Sequence, residues 1–308
     1  MSIKQRIIKL DHKKIIKLPV LLICYDRPEL LNKLINTLLK YKVRNLYFSQ
    51  DGCDDNDEQV IKRHKKVRLI IENLKLKKNI KVNFLKKNFG KQFGPPKAIS
   101  WFFRKVKMGI IIEDDIFPSK SFLLLSEILL RDHKKDKSIF QISGTGTLKN
   151  NFGKITYASS HFFVHGWATW RDRWKFYNGK IGNINKLIKS KNFKINVPTL
   201  IGRLYWINIF NDFKKGKHKT WDYPLAYMCL LKNYSCIKPS INMITNKGYL
   251  EKNKLSYRKR VEIKKIYHLK NLKNQFKYEK KGEEWIYYNL SFRYQLSLIF
   301  KYLINKFI

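Results

Sequence analysis

The sequence predicts an α/β fold with a mostly parallel sheet flanked by helices, and three observations carry that prediction. Within the first 118 residues, four short apolar runs each lead into a stretch with helical spacing. The runs are continuous, as in strands buried on both faces. Three of the four end in acidic residues: Asp26, Asp51, and the triplet Glu113-Asp114-Asp115. Parallel sheets bind ligands at the carboxyl ends of their strands, so these acids stand where chemistry is expected.

The first strand is Leu18-Pro19-Val20-Leu21-Leu22-Ile23-Cys24. Pro28 then suits the first turn of a helix, where its missing N–H costs nothing. Leu30, Leu31, Leu34, Ile35, Leu38 and Leu39 fall on one face of that helix. Leu46-Tyr47-Phe48 forms the second strand and ends in Ser49-Gln50-Asp51-Gly52. A charged helix follows from about Asn56. The third strand is Ile80–Leu85, and a loop is expected from Asn88 to Pro96. Gly109-Ile110-Ile111-Ile112 is the fourth, running straight into the acidic triplet. Beyond it, strands are expected over Ser138–Ser143 and Thr156–Val164. Helices are expected over Trp167–Trp174, Leu200–Phe213 and Asp222–Lys232. From about residue 250 the chain is Lys-rich and irregular. It closes with Phe292, Leu296, Ile299, Phe300, Leu303 and Phe307 at helical spacing.

Composition narrows the function classes. Of 308 residues, 44% are hydrophobic and 14% aromatic, enough for a real core and too many for a disordered chain. The net charge of +42 invites a nucleic-acid reading, yet only 13 of the 65 basic residues are Arg, the side chain suited to base-edge and phosphate forks. The lysines are spread evenly, and no helix-turn-helix, zinc-finger or aromatic RNA-binding pattern accompanies them, so specific nucleic-acid binding is not expected. Background compositional bias and attraction to an anionic membrane surface are the other readings of the charge. No apolar run is long enough to span a bilayer, and the first residues are too charged for a signal-peptide core. Cys24, Cys53, Cys229 and Cys236 form no CxxC pair, which argues against structural zinc and for reduced thiols in the cytoplasm.

Glu113-Asp114-Asp115 is the strongest site signal. Adjacent carboxylates repel one another, and a cation or donor groups must compensate them. Mg²⁺ or Mn²⁺ held by one or two carboxylates and a substrate diphosphate is a common solution. A solvated turn with helix-capping acids before Ser119 is the plainer alternative.

Leu18 to Arg27, Ser49-Gln50-Asp51-Gly52 and Ile112-Glu113-Asp114-Asp115 occur in the order seen in nucleotide-sugar transferases of the GT-A fold. The chain resembles the N-acetylglucosaminyltransferase I type and its bacterial relatives. His165-Gly166-Trp167-Ala168-Thr169-Trp170 and Thr220-Trp221-Asp222-Tyr223 resemble later blocks of the bacterial branch. The resemblance implies a GT-A, Rossmann-like catalytic domain over 18–248. Its nucleotide-sugar half would cover about 18–118 and its acceptor half about 119–248. A basic segment over 1–17 would precede it and a basic extension over 249–308, ending in an amphipathic helix, would follow.

The resemblance also implies roles. Asp115 would be the metal ligand for Mn²⁺ or Mg²⁺, with Glu113 and Asp114 contacting the sugar and ribose of the donor. Arg27 would approach the diphosphate. Asp51 would accept from the imide N–H of uracil, favouring a UDP-sugar, first of all a UDP-N-acetylhexosamine. Asp222 would be the catalytic base that inverts the sugar during transfer to a surface glycan, free or lipid-linked. Read from the residues alone, Arg27 also fits a loop cap, Asp51-Gly52 a turn, and Asp222 a helix cap. His165, Trp167 and Trp170 are candidates for an acceptor or donor pocket, with core packing the competing reading. The segment Phe93-Gly94-Pro95-Pro96-Lys97 departs from the small residues that bacterial relatives place after the third strand, which leaves the donor sugar open. A sugar-phosphate nucleotidyltransferase shares the layout and the metal, but usually carries a glycine-rich loop where Tyr25-Asp26-Arg27-Pro28 stands here. The C-terminal stretch from about 290 fits an interfacial helix on the inner membrane face as well as a helix packed on the domain.

Overall fold

In the computed structural model, the described residues are 7–9, 15–54, 56–146, 156–248, 265–267 and 296–300. The first half is a run of strand–helix units. After β1 (Ile7–Lys9) come β2 (Val20–Cys24), α1 (Pro28–Lys40), β3 (Leu46–Gln50), α2 (Glu58–Lys77), β4 (Lys81–Phe84), α3 (Gly90–Lys105) and β5 (Met108–Glu113). Strands β4, β3, β2 and β5 lie side by side and all parallel. Alternate residues serve opposite faces. Val20, Leu22, Cys24, Ile110 and Ile112 pack with α1 and α2 through Leu31, Leu34, Leu38, Val67 and Ile71. Leu21 and Ile111 pack with α3 through Ala98, Ile99 and Phe102. A fully buried Leu or Ile contributes about 1.5–3 kcal/mol, so both faces reward the same continuous apolar run.

This arrangement positions the site. The chain leaves β2 toward one face and reaches β5 from the other, so the strand order reverses between them. A crevice at the carboxyl ends of β2 and β5 is the geometric consequence.

The second half is woven differently. It runs through β6 (Ile116–Pro118), α4 (Lys120–Asp132), β7 (Ile139–Ser143), β8 (Thr156–Ser159), β9 (Trp167–Trp170) and α5 (Arg171–Trp174). It continues with α6 (Ile184–Lys189), α7 (Lys191–Asn196), α8 (Leu200–Lys214), α9 (Asp222–Leu231), β10 (Ser235–Pro239) and β11 (Ile244–Asn246). The sheet has eight strands in the order β4-β3-β2-β5-β9-β7-β10-β8. Strand β9 is antiparallel to both β5 and β7, β10 is parallel to β7, and β8 is antiparallel to β10. The predicted α/β class with a largely parallel, Rossmann-like sheet holds, and every antiparallel ladder of the eight-stranded sheet involves a strand of this half. Two short ribbons stand apart: β6 with β11, and β1 with β12 (Lys265–Tyr267).

Three local expectations need correction. Residues 90–96, expected as loop, begin α3 despite Pro95 and Pro96. The Asp51 carboxylate accepts from the N–H groups of Phe89 and Gly90 at the helix start, an outside cap that offsets poor local propensity. Trp167–Trp170 is a strand, with helix only from Arg171, because pairing with β5 and β7 overrides the helical spacing of the tryptophans. The strand expected over Thr156–Val164 stops at Ser159. Of the basic extension expected from 249, only 265–267 and 296–300 are described, the latter helical. No helix among the described residues is long and apolar enough to cross a membrane.

Arg173 ties the second half together. Its guanidinium is 1% exposed, lies over the Trp170 ring, and donates to the carbonyls of Ile139, His133, Lys134 and Asp136. It also pairs with Asp172 at 2.6 Å.

Candidate active site

The crevice brings the loop after β2 against the loop after β5. Arg27 Nη1 donates to Asp114 Oδ1 at 2.9 Å and to Asp115 Oδ2 at 2.8 Å. Tyr25 N donates to the second Asp114 oxygen at 3.2 Å, and Asp114 N reaches the Ile23 carbonyl at 3.0 Å. Both Asp114 oxygens are therefore engaged. Only Nη1 of Arg27 donates among the described residues and 37% of the side chain is exposed, so the guanidinium has donors to spare.

Asp115 has one oxygen on Arg27 and the other, Oδ1, buried without a hydrogen-bond partner. Its wall is the segment after β11. Lys247 N donates to the Asp115 carbonyl at 2.8 Å, and a Cβ on Gly248 would stand 2.2 Å from Asp115 Oδ2. A larger residue there would have to push the Asp115 carboxylate off its contact with Arg27. The β6–β11 ribbon creates this approach, and nothing in the sequence near 246–248 announces it.

Electrostatics shows how tightly the acids are gathered. Burial, with Asp115 and Asp114 nearby, pushes the Glu113 carboxyl up to about 8 against the pull of Arg27. Asp222 adds to that rise. Burial likewise lifts Asp114 to about 6, with Arg27 opposing. His165 is lowered by burial, while Asp115 and Asp222 both act to raise it. Glu113, Asp115, His165 and Asp222 thus share one electrostatic neighbourhood although they are spread over 110 positions of sequence.

Asp222 is the first residue of α9, and Thr220 Oγ1 donates to its Oδ1. The aromatic residues hold this helix start. Trp167 stacks on Trp221 at 6.1 Å, and Tyr177 Oη donates to the Trp221 carbonyl at 3.0 Å. Burial and the nearby Asp222 together raise the Tyr177 phenol. Trp167 is 0% and Trp170 2% exposed, on opposite faces of β9, so neither offers a ring face to a ligand. They are core residues, and Trp167 supports Asp222 through Trp221. His165 is only partly buried and precedes Gly166, whose φ of +62° turns the chain into β9.

Two acids at strand ends are spent elsewhere. Asp26 pairs with Arg63 at 2.7 Å, turned toward α2. Asp51 accepts from the N–H groups of Gly52, Phe89 and Gly90 at 2.9–3.1 Å, and a Cβ on Gly94 would meet its Oδ2 at 2.5 Å. Burial raises its pKa, with these donors opposing.

Among the described residues no three His, Cys, Asp or Glu side chains form a ready-made metal cluster. The site instead fits the divalent cation of a one-carboxylate mode. The unpartnered Asp115 Oδ1 would offer such a cation a hard oxygen, and substrate oxygens or water would complete the shell.

No family model and no curated protein matches this chain. Several solved structures are similar at low scores. They include HddC from Yersinia pseudotuberculosis, 14% identical with a TM-score of 0.32 over 53% of this chain and 81% of that one. The inositol-1-phosphate CTP transferase from T. maritima is 7% identical, with a TM-score of 0.33 over 54% of this chain and 75% of its own. The 4-diphosphocytidyl-2C-methyl-D-erythritol synthase from Anaerococcus prevotii is also 7% identical, with a TM-score of 0.36 over 77% and 95%. Nothing among them singles out the N-acetylglucosaminyltransferase I type, and at these scores the likeness assigns no activity.

Proposed function

We propose that this chain is a metal-dependent transferase of sugar-nucleotide chemistry, and that it transfers the sugar with inversion to an acceptor hydroxyl. The observation that carries this reading is the convergence of Arg27, Glu113, Asp115 and Asp222 at the carboxyl ends of β2 and β5. Arg27 meets the donor diphosphate with its remaining donors, where a guanidinium fork suits phosphate oxygens. Asp115 Oδ1 holds Mn²⁺ or Mg²⁺, which when bound offsets the charge left on the departing diphosphate. Asp222 takes the proton of the acceptor hydroxyl as its oxygen bonds to the anomeric carbon and the bond to the diphosphate breaks. Glu113 serves the sugar end of the donor in this reading, and Asp114, both of whose oxygens are engaged, acts by holding Arg27 and the loop after β2. The donor is first of all a UDP-N-acetylhexosamine and the acceptor a surface glycan. With its carboxylate held by backbone donors, Asp51 reads the base by fixing the start of α3 more than by direct contact.

The second reading is nucleotidyl transfer to a sugar phosphate, the kind of reaction that the name of the T. maritima CTP transferase describes. It uses the same crevice and metal. The loop Tyr25-Asp26-Arg27-Pro28, with no glycine to wrap a triphosphate, favours sugar transfer.

Thermal stabilisation by UDP-, GDP-, TDP- and CMP-sugars, with and without Mn²⁺, tests both. A ligand at about 100 times its Kd adds about 2.7 kcal/mol, a visible rise in Tm. A Mn²⁺-dependent rise with one sugar nucleotide, lost in Asp115→Ala and kept in Asp222→Asn while transfer stops, is the expected result. Pyrophosphate release from a nucleoside triphosphate and a sugar 1-phosphate would establish the second reading. No response to any of these would overturn both.

A further inference from the structure

We propose that the surface formed by α6, α7 and the start of α8 is a membrane-binding face that recognises anionic lipid, independently of the activity proposed above. Helices α6 and α7 are joined by Ser190 alone, whose Oγ accepts from Phe193 N. They bury Ile184, Leu187 and Phe193 against Phe210 and Tyr227. That inward face leaves Lys186, Ile188, Lys189, Lys191, Lys194 and Ile195 turned out and exposed. Ile188 is 37% exposed, and Ile195 and Leu200 are 51% exposed. Phe176, 43% exposed, carries the ammonium groups of Lys175 and Lys232 over its ring. Core packing gives no reason for aliphatic side chains at these outward positions.

The charge is one-sided. From residue 173 to 211 the sequence holds no Asp or Glu, so no described carboxylate of this stretch neutralises its lysines. Helix α2 is the useful contrast. It also exposes lysines with Leu69 and Leu76, but Glu58 and Glu72 lie among them. Lysines attracted to acidic headgroups around aliphatic tips that enter the acyl boundary are what an interfacial surface needs. A nucleic-acid face would call for Arg forks and stacking rings in place of Ile and Leu. The patch packs on α9, whose first residue is Asp222, so docking here brings the crevice near the bilayer surface.

Sedimentation of the full chain with phosphatidylcholine vesicles, with and without 30% phosphatidylserine, tests the proposal. Binding is expected only with phosphatidylserine and should weaken with salt. Reversing Lys186, Lys189, Lys191 and Lys194 to Glu should lower it at least ~tenfold. Reversing Lys62, Lys65, Lys66 and Lys75 on α2 changes net charge equally and should lower it far less. Ile188→Ser with Ile195→Ser, both exposed and harmless to the core, should weaken binding without altering charge. Equal losses from both lysine sets, or full binding by the double Ser variant, would overturn the proposal. So would loss of binding to a single-stranded RNA oligonucleotide in the α6–α7 variant while vesicle binding stayed unchanged.

Discussion

The two halves of the sheet solve the same problem in opposite ways. In the first, β2 pairs with β3 and β3 with β4 across a single helix, within about 40 residues each, and only the β2–β5 pairing spans the whole half. In the second, β9 sits between β5 and β7 with antiparallel ladders on both sides, and β10 reaches β8 across some 75 residues. The first half is modular, held by repeated local units. The second is held by a few side chains that bridge distant segments, Arg173 above all. The candidate site stands on the seam: Arg27, Glu113, Asp114 and Asp115 come from the modular half, while His165, Asp222 and the Gly248 wall come from the woven one.

The largest effect should come from breaking that bridge. Arg173→Met leaves the carbonyls of His133, Lys134 and Asp136 buried without their donor, and should cost about 3–5 kcal/mol. The urea midpoint measures it. If Arg173→Met cost no more than a helix cap in the first half, the contrast between modular and woven halves would fail.

The seam should respond to pH. Glu113, raised to about 8, and Asp114, raised to about 6, are protonated in the native state at pH values where the unfolded chain has released those protons. Their contribution is therefore complete below the ordinary carboxylate range and is lost as pH rises through about 6 and then about 8. Stability at pH 6 should exceed that at pH 8 by about 1–2 kcal/mol, and Glu113→Gln should flatten the difference. Mn²⁺ with a bound sugar nucleotide should also flatten it, by supplying the missing positive charge.

The smallest effect belongs to the modular half. Asp51→Ala removes the carboxylate that caps α3 and should cost about 1 kcal/mol, confined to that helix. Hydrogen exchange at the α3 amides should rise while β7 and β10 stay protected. Loss of protection across the whole sheet would mean that the first half is not modular.

How much was legible follows the same division. Strands β2, β3 and β5 and helix α1 could be read because parallel strands buried on both faces carry continuous apolar runs, and because Pro28 and the leucine stripe are local signals. The acidic triplet was legible as a strand-end cluster for the same reason. What Trp167 and Trp170 do was not. Their spacing is as good for a helix as for a core strand, and only pairing with β5 and β7 decides between them. Asp51 shows a subtler limit: an acid at a strand end reads as a ligand contact, while the structure engages it with the backbone of α3.

The sequence by itself determined the α/β class, the first four strands of the sheet and the place where carboxylates gather, because period, turn chemistry and strand-end acids act over a few residues. Only the tertiary structure decided that Arg27 neutralises Asp114 and Asp115, that Gly248 closes over Asp115, and that Asp222 joins them from a helix held by buried tryptophans. Those placements gather residues 27, 115, 222 and 248 into one neighbourhood. Their energies exist only once the chain has closed loops that no local pattern encodes.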